Sequence, residues 1–262
     1  MSSRSMCRHA AYVGPPLGLG AFLDRPAHGL VEQSYHPREM LTAKLNADGF
    51  GFGWYRESGA AGVYTNPMPI WSDINLAHIG AAFESRLWLG NVRSATPGQP
   101  VNQANTHPFL AGNLLFSHNG FIRDFADGPR SALRRYLEPA FDSAIQGSTD
   151  SEHIFAALRQ ELVGAADIPD ALRRLFERIE PMLEGVHGLF NVMVADGTRV
   201  FATRHAIGHQ APPLYVGSDK SLFPDAWLIT SEPFSDGGDW DPVPEDRLVV
   251  IEAGRDPVVT PL

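Results

Sequence analysis

The stretch Met6-Cys7-Arg8-His9-Ala10-Ala11-Tyr12-Val13 carries the one cysteine of this 262-residue chain. The apolar residues 10–13 predict a first β-strand directly after it. We expect residues 1–6 to be removed or never translated, since Met6 has the place of a start residue. Cys7 would then hold a thiol beside a free α-amine, whose ordinary pKa of about 7.7 to 8.0 lets it accept the thiol proton. The stretch predicts a nucleophile with its own base, and the alternative is a small buried apolar residue in a first strand.

Composition limits the classes of protein to be considered. The chain is 44% hydrophobic and carries a formal net charge of -9, and we expect one domain spanning residues 1–262. The negative charge and the lack of a basic run argue against a nucleic-acid partner. One cysteine cannot form an internal disulfide, and residues 1–5 lack the apolar run of a secretion signal. No window approaches the roughly 18 apolar residues of a spanning helix, so we predict a cytoplasmic protein with no membrane partner.

Hydrophobic periodicity predicts an α+β fold of antiparallel sheets packed with helices, because strands precede and follow a central helical pair without regular βαβ alternation. The first half reads as strands and loops. Two amphipathic helices follow in the middle of the chain, and Asp196-Gly197 then forms a tight hairpin turn between two strands. The predicted strands cover residues 10–13, 50–55, 86–92, 113–116, 189–195, 200–203, 214–216, 226–230 and 248–251, and the predicted helices follow residues 148–150 and cover 172–183.

Two tempting signals carry little weight. The run Gly49-Phe50-Gly51-Phe52-Gly53 resembles a phosphate-binding loop, but Trp54-Tyr55 continue a strand and no helix opens there. A strand whose glycines allow close backbone approach is the better interpretation. The ten histidines are scattered without metal-ligand spacing, so we expect no metal site and polar histidines satisfied near loops and strand ends.

Four ordered motifs follow Cys7 along the chain. They are Asn91-Val92-Arg93-Ser94-Ala95-Thr96-Pro97-Gly98, Asn105-Thr106-His107-Pro108-Phe109, Phe116-Ser117-His118-Asn119-Gly120 and Ser148-Thr149-Asp150-Ser151-Glu152. With Cys7 they resemble the class II glutamine amidotransferases, N-terminal-nucleophile hydrolases whose first residue is cysteine. The resemblance implies an αββα sandwich of two mainly antiparallel sheets flanked by helices, and a reaction that needs no metal or organic cofactor.

The resemblance implies a pocket for the charged end of a glutamyl group. Arg93 would bind the α-carboxylate with its planar fork of donors, with Thr96 as a possible helper, and Asp150 would bind the α-ammonium. A surface ion pair is the alternative for Arg93. A helix cap is the alternative for Asp150, because this residue follows Ser-Thr at the start of an apolar-periodic helix.

The same resemblance implies the reacting groups. Cys7 would attack the γ-carbonyl, while the side-chain amide of Asn119 and the backbone N–H of Gly120 would form the oxyanion hole. An Asn-Gly turn in a hairpin is the competing interpretation of residues 119–120.

Stretches 6–9, 33–38, 45–51 and 69–76 resemble the γ-glutamyl-hercynylcysteine sulfoxide amidohydrolases of ergothioneine biosynthesis. That resemblance implies a small-molecule γ-glutamyl substrate, cleaved to glutamate and hercynylcysteine sulfoxide. From the chain length we expect no second, ammonia-receiving domain. The alternatives are a glutaminase-type subunit that serves a separate partner and a non-catalytic protein that keeps the fold. The oligomeric state is not predicted. Four aromatic residues could form a wall near the trimethylammonium group, although ordinary core packing is the favoured interpretation of each one taken singly: Tyr35, Phe52, Trp54 and Trp71.

Overall fold

The computed structural model describes residues 6–39, 45–96, 98–183 and 185–262. The strands are β1 (Arg8–Gly18), β2 (Phe50–Tyr55), β3 (Ala61–Asn66), β4 (Glu84–Val92), β5 (Phe109–Ala111), β6 (Leu114–Ile122), β7 (Gly188–Ala195), β8 (Arg199–Arg204), β9 (Ala206–Ile207), β10 (Tyr215–Ser218), β11 (Trp227–Thr230), β12 (Asp239–Pro242), β13 (Arg247–Glu252) and β14 (Arg255–Pro261). The α-helices are α1 (Leu19–Asp24), α2 (Leu30–Tyr35), α3 (Leu76–Ala82), α4 (Pro129–Tyr136), α5 (Pro139–Asp142), α6 (Asp150–Gly164) and α7 (Ile168–Met182).

The strands form two antiparallel sheets. The first has the order β12-β10-β11-β1-β4-β2-β3, and the second has the order β14-β13-β8-β7-β6-β5, with β9 also paired to β7. Helices cover the outer face of each sheet, which gives the four layers of the predicted αββα sandwich. Cys7 directly precedes β1, which lies in the middle of the first sheet between β11 and β4. The nucleophile candidate is therefore carried by a strand that is held on both edges.

Alternation along β1 explains why this strand is buried on both faces. Ala10 and Tyr12 pack in the core under α1 and α2, whereas Ala11 and Val13 pack in the core between the two sheets. Successive side chains of a strand point to opposite faces, so even positions of β1 face the helices and odd positions face the other sheet. The same rule places the Arg8 side chain on the helix-covered face and the His9 side chain on the face toward the other sheet.

Several sequence predictions are confirmed. The strands predicted at 50–55, 189–195 and 200–203 are β2, β7 and β8, and the turn at Asp196-Gly197 joins the last two with Gly197 at φ 104°. The glycine run lies in β2, where a Cβ on Gly51 would collide with the carbonyl oxygens of His107 and Tyr64. The close backbone approach expected there is therefore confirmed.

The first half is rich in strands, as predicted, but it also contains three short helices that the sequence pattern does not identify. Helices α1, α2 and α3 lie there, and each is six or seven residues long. Fewer than two full turns give too short a periodic pattern to identify. No helix in the described residues is long and apolar enough to cross a membrane. The single-domain organisation stays a prediction, and residues 1–5 lie outside the described residues.

Candidate active site

The layer between the two sheets becomes polar at the Cys7 end of β1. His9 occupies the odd position that precedes Ala11, closer to Cys7. Its Nδ1 lies 3.4 Å from Oγ of Ser117 on β6. Asn91, the cross-strand partner of His9 on β4, donates from Nδ2 to the same Oγ at 3.2 Å. The apolar core between the sheets therefore ends in a cluster of polar side chains, directly beneath the first residues of the strand.

Cys7 is buried, with 8% of its surface exposed, and its Sγ lies 3.8 Å from the carbonyl oxygen of Ser94. Burial raises the pKa of the thiol above its ordinary value, while the charges of Arg93 and Arg8 act in the opposite direction. The sulfur therefore carries its proton near neutrality and needs a base to become a thiolate. Met6 is also buried, and its peptide bond to Cys7 occupies the nitrogen that would supply that base.

Arg93 follows β4 and lies beside Cys7, because the register pairs Arg8 with Val92 on the neighbouring strand. Its side chain is buried, and Nη1 donates to the carbonyl oxygens of Asp48 at 3.2 Å and Pro100 at 3.4 Å. It forms no ion pair with a carboxylate of the described residues. The surface ion-pair alternative is therefore wrong. Burial lowers the pKa of the guanidinium, which nevertheless remains a cation held by neutral carbonyl oxygens.

Asp150 is the first residue of α6, and it is not the cap. The cap is Thr149, whose Oγ1 accepts the backbone N–H of Glu152 at 3.3 Å. The carboxylate of Asp150 instead accepts the backbone N–H of Ile122 at 2.6 Å and that of Ser151 at 2.8 Å. The helix-cap alternative is wrong for this side chain, which is tied to the end of β6 and whose charge acts on the Cys7 thiol.

Asn119 and Gly120 lie inside β6, where they pair with Asn191 and Phe190 of β7, so the hairpin-turn interpretation is wrong. Asn119 is completely buried, and its Nδ2 donates to Oγ of Ser231 at 3.2 Å. That hydroxyl accepts the backbone N–H of His9 at 3.0 Å. The Asn119 amide thus reaches across the space between the sheets to within two residues of Cys7.

Comparison with known proteins identifies the family of the chain. Residues 29–212 match the family of class II glutamine amidotransferases. The chain belongs to this family. It is an N-terminal-nucleophile-type hydrolase, and its two antiparallel sheets flanked by helices are the fold of that class.

Three relatives of this chain are informative. The γ-glutamyl-hercynylcysteine sulfoxide hydrolase of Mycolicibacterium smegmatis is 31% identical over 98% of this chain and 100% of its own length. A probable glutamine amidotransferase of Saccharomyces cerevisiae is 28% identical over 94% of this chain and 82% of its own. The solved structure of a glutamine aminotransferase class-II domain protein from Silicibacter pomeroyi superposes with a TM-score of 0.72 at 27% identity, covering 97% of this chain and 99% of the other.

Gly120 occupies a position that excludes any side chain. A Cβ there would collide with the carbonyl oxygen of Leu189 on the neighbouring strand and with the His118 ring. The His118 Nε2 lies 2.8 Å from that same carbonyl oxygen. Glycine is therefore required by the packing of β6 on β7, independently of any part in the reaction.

Thr96 is the one predicted site residue that the structure does not bring to the others. Its side chain is exposed, and its carbonyl oxygen accepts the backbone N–H of Gln99 at 2.9 Å. Within the described residues, its hydroxyl accepts no hydrogen bond from Arg93 and forms none with Cys7. Its help in carboxylate binding stays a prediction.

The predicted aromatic wall is wrong as a set of four. Phe52 and Trp54 are buried in the core under the helices. Tyr35 and Trp71 do meet, with ring centroids 5.8 Å apart at an interplanar angle of 85°, and Trp71 is half exposed. Only this second pair presents ring faces outside the core.

Two features of the site region were missed from the sequence. His107 is buried with both ring nitrogens lacking a hydrogen-bond partner in the described residues, against the expectation of satisfied histidines. Its presence in a motif beside Pro108 was the available signal. The second feature is a buried ion cluster around Glu232, which accepts from Arg8. No local sequence pattern predicts the Arg8–Glu232 pair, because the two residues are 224 positions apart. No group of His, Cys, Asp or Glu in the described residues has the arrangement of a metal site.

Proposed function

We propose that this protein hydrolyses the amide bond of a γ-glutamyl compound, with Cys7 as the nucleophile. The observation that carries the proposal is the position of the buried Arg93 guanidinium and the Asp150 carboxylate around the Cys7 thiol. A glutamyl end has an α-carboxylate, an α-ammonium and a γ-carbonyl. The site offers a cation, an anion and a sulfur to these three groups.

Arg93 is suited to the α-carboxylate because it is a buried cation without an acidic partner in the described residues. Its guanidinium binds only carbonyl oxygens, so a carboxylate ligand would supply the charge that the protein leaves out. Charge-assisted hydrogen bonds to a planar fork are among the stronger and more specific contacts in proteins. Asp150, fixed by two backbone N–H groups, would hold the α-ammonium in the same way.

The reaction requires Cys7 as the first residue of the active form. Its α-amine accepts the thiol proton, and the thiolate attacks the γ-carbonyl carbon to form a tetrahedral oxyanion. The C–N bond then breaks, the ammonium returns its proton to the leaving nitrogen, and a γ-glutamyl thioester remains. A water molecule, deprotonated by the same amine, attacks the thioester and releases glutamate and the free thiol.

Asn119 is proposed as a donor to the oxyanion. Its Nδ2 donates to Ser231, while its Oδ1 is buried without a partner in the described residues. The two ends of a carboxamide exchange places by rotation about χ2, and a serine hydroxyl can serve either end as acceptor or donor. After such a rotation the Ser231 hydroxyl, which donates to the His9 carbonyl oxygen at 3.2 Å, would donate to Oδ1 instead, and the N–H group would be available to the oxyanion. The N–H of Gly120 would be the second donor.

The substrate we propose is γ-glutamyl-hercynylcysteine sulfoxide, cleaved in ergothioneine biosynthesis. The proposal is supported by the full-length similarity to the M. smegmatis hydrolase that carries this substrate in its name. The S. cerevisiae relative supports a second candidate, because its name describes a probable glutamine amidotransferase. In that case the substrate would be glutamine or another γ-glutamyl compound, and a separate partner would use the product.

One assay separates these candidates. Glutamate release is measured with glutamine and with γ-glutamyl-hercynylcysteine sulfoxide, using the wild type and Cys7→Ala, and intact mass identifies the first residue of the active form. We expect a higher kcat/KM for the conjugate, no turnover by Cys7→Ala and a chain beginning at Cys7. Preference for glutamine would favour the second candidate. Full activity in a chain that retains residues 1–6 would overturn the mechanism itself.

A further inference from the structure

A buried ion cluster lies on the opposite face of β1 from the site. Arg8 occupies an even position, so its side chain points toward the helices, as those of Ala10 and Tyr12 do. Its Nε donates to Oε1 of Glu232 at 2.6 Å, and both side chains are essentially inaccessible to solvent. Glu232 lies two positions after the end of β11, which pairs with β1. Neighbouring strands therefore present the two charges side by side.

Arg8 also contacts the nucleophile's own backbone. Its Nη1 donates to the carbonyl oxygen of Cys7 at 3.0 Å. One guanidinium therefore joins Glu232 to the peptide group that follows the reacting residue. Fixing that carbonyl fixes the rotation about the Cα–C bond of Cys7, and the directions of its thiol and amine depend on that rotation.

Glu232 is held in turn by groups from two further segments. Its Oε2 lies 2.8 Å from Nε2 of His28, just before α2, and accepts the backbone N–H of Arg38 at 2.8 Å. Oε1 accepts the backbone N–H of Glu39 at 3.1 Å. A carboxylate with this many donors has little freedom to move, so it can act as a rigid anchor.

We propose that Arg8 is a positioning residue for Cys7 and that Glu232 helps to position the nucleophile only through Arg8. The guanidinium holds the Cys7 carbonyl so that the thiol faces the γ-carbonyl of the substrate and the amine faces the thiol. The inference rests on the proposed function, since it gives Arg8 a task in the reaction of Cys7. It extends the site to the helix-covered face of the sheet.

The charges of the pair make a second effect testable. Cys7 is faced by Arg8 on β1, by Arg93 after β4 and by Asp150 at the start of α6. Arg8 is faced by Glu232 and Glu39. Burial lowers the pKa of the adjacent His9 to about 3, so this ring stays neutral across the useful pH range. Removing Arg8 leaves the negative charge of Glu232 uncompensated near the thiol, and removing Glu232 leaves the positive charge of Arg8 uncompensated. Removing both side chains takes away both charges of the pair.

The test uses the variants Arg8→Met, Glu232→Gln and the double variant, with Arg134→Met as the matched control. Arg134 is an exposed arginine that pairs with Asp142 on the surface. Two experiments are done with each purified protein. The first measures the pH dependence of Cys7 alkylation by iodoacetamide, and the second measures kcat and KM for glutamate release. Circular dichroism and thermal unfolding check that each variant is folded. Arg8→Lys is measured as well, and it replaces Arg8→Met if that variant does not fold.

We expect Arg8→Met to move the half-point of alkylation to higher pH and Glu232→Gln to move it to lower pH, each by about one pH unit. The double variant returns close to the wild-type half-point. Its kcat nevertheless stays as low as that of Arg8→Met, about 10²-fold below wild type with KM little changed, because the contact to the Cys7 carbonyl is lost. Arg8→Lys keeps the charge, and hence the half-point, but loses kcat.

Shifts in the same direction for both single variants, or an additive loss of kcat in the double variant, would overturn the inference. Unchanged kcat in Arg8→Met and Arg8→Lys would do the same. Alkylation reports on the thiol without any substrate, so this measurement separates the two proposals. If the variants show the expected shifts of the alkylation half-point but the wild type releases no glutamate, the result would contradict the proposed function alone.

Discussion

Asp150 and Ile122 are joined by a short hydrogen bond, in which the carboxylate Oδ2 accepts the backbone N–H at 2.6 Å. The bond attaches the first residue of α6 to the last residue of β6. Asn119 and Gly120 lie in the same strand, three and two positions before Ile122, respectively. The proposed ammonium-binding carboxylate and the proposed oxyanion donors therefore belong to one rigid unit, and a substrate bound to the first is placed against the second.

Asp150→Asn should separate the charge of this side chain from its structural bond. The carboxamide oxygen can still accept from Ile122, although the NH2 group then takes the place of the oxygen that accepts from Ser151, and the negative charge for the α-ammonium is gone. A hydrogen bond to a charged group is worth about 1.5 to 3 kcal/mol, so we expect kcat/KM for glutamate release to fall about 10- to 150-fold, mainly through KM. Asp142→Asn, which removes a surface carboxylate, is the control. An unchanged KM in Asp150→Asn would argue against ammonium binding at this residue.

Arg93→Lys should show whether the fork of donors matters beyond the charge. A lysine ammonium is a compact point charge and cannot bind a carboxylate through two parallel N–H groups. We expect kcat/KM to fall about 10- to 100-fold, with the increase in KM dominant. The matched control is Arg199→Lys, which changes a half-exposed arginine paired with Asp196. Equal kinetic effects in the two variants would remove the case for a carboxylate pocket at Arg93.

Asn119→Ala should remove a donor needed only in the transition state. Loss of one oxyanion donor costs about 2.7 to 4 kcal/mol, so kcat should fall about 10²- to 10³-fold. Ser231→Ala is the matched control, because it breaks the same Asn119–Ser231 bond but leaves the amide in place. Both variants should lose about 1 kcal/mol of unfolding free energy, measured by chemical denaturation. If Ser231→Ala loses as much kcat as Asn119→Ala, the amide acts through structure and not through the oxyanion.

Gly120→Ala should fail for a packing reason. The added Cβ would collide with the Leu189 carbonyl oxygen, which belongs to the partner strand and cannot move without separating β6 from β7. We expect a lower melting temperature and little folded protein, judged by circular dichroism and soluble yield. Gly237→Ala, at a position where a Cβ meets no atom within 4 Å, should be nearly neutral. A stable and active Gly120→Ala would contradict the described approach of the two strands.

Local patterns predicted the elements that are long and buried. The aromatic and glycine run at 50–55 could only be a strand, and the four-residue spacing of Ile154 and Leu158 gave α6. The motif residues Arg93, Asn119 and Asp150 also lie near Cys7, because their segments meet at one end of the sandwich. These residues were identified from the resemblance of their motifs to a known family.

What the sequence could not give was the set of contacts between distant segments. The Arg8–Glu232 pair depends on β1 and β11 being neighbours, and nothing local to either residue indicates that pairing. The edge strand β12, with the sequence Asp-Trp-Asp-Pro, lacks the apolar alternation of a strand and forms because β10 offers it a free edge. The cap of α6 was equally hard to identify from the sequence, because Thr149 and Asp150 are both suitable residue types. In the structure Asp150 accepts the backbone N–H of Ile122, and Thr149 is the cap.

The buried carboxylate of Glu232 should make the stability of the protein depend on pH in the acidic range. Burial alone would raise its pKa, but the bond from His28, the charge of Arg8 and the backbone N–H groups of Arg38 and Glu39 together lower it from 4.5 to about 2. The carboxylate therefore contributes its full stabilisation above about pH 4.5 and progressively less as the pH falls toward about 2.

A pKa lowered by this much corresponds to about 3 kcal/mol of unfolding free energy at neutral pH, of which about half remains at pH 3. We expect Glu232→Gln to be less stable than wild type by about 3 kcal/mol or more at pH 7, since its amide also sets an NH2 group against donors. The gap should narrow by about half at pH 3, measured by denaturant unfolding at both values. Glu57→Gln, at an exposed position between β2 and β3, should change the unfolding free energy by less than about 0.5 kcal/mol. A Glu232→Gln gap that stays constant from pH 7 to pH 3 would mean that the carboxylate is not held as an anion by the Arg8 cluster.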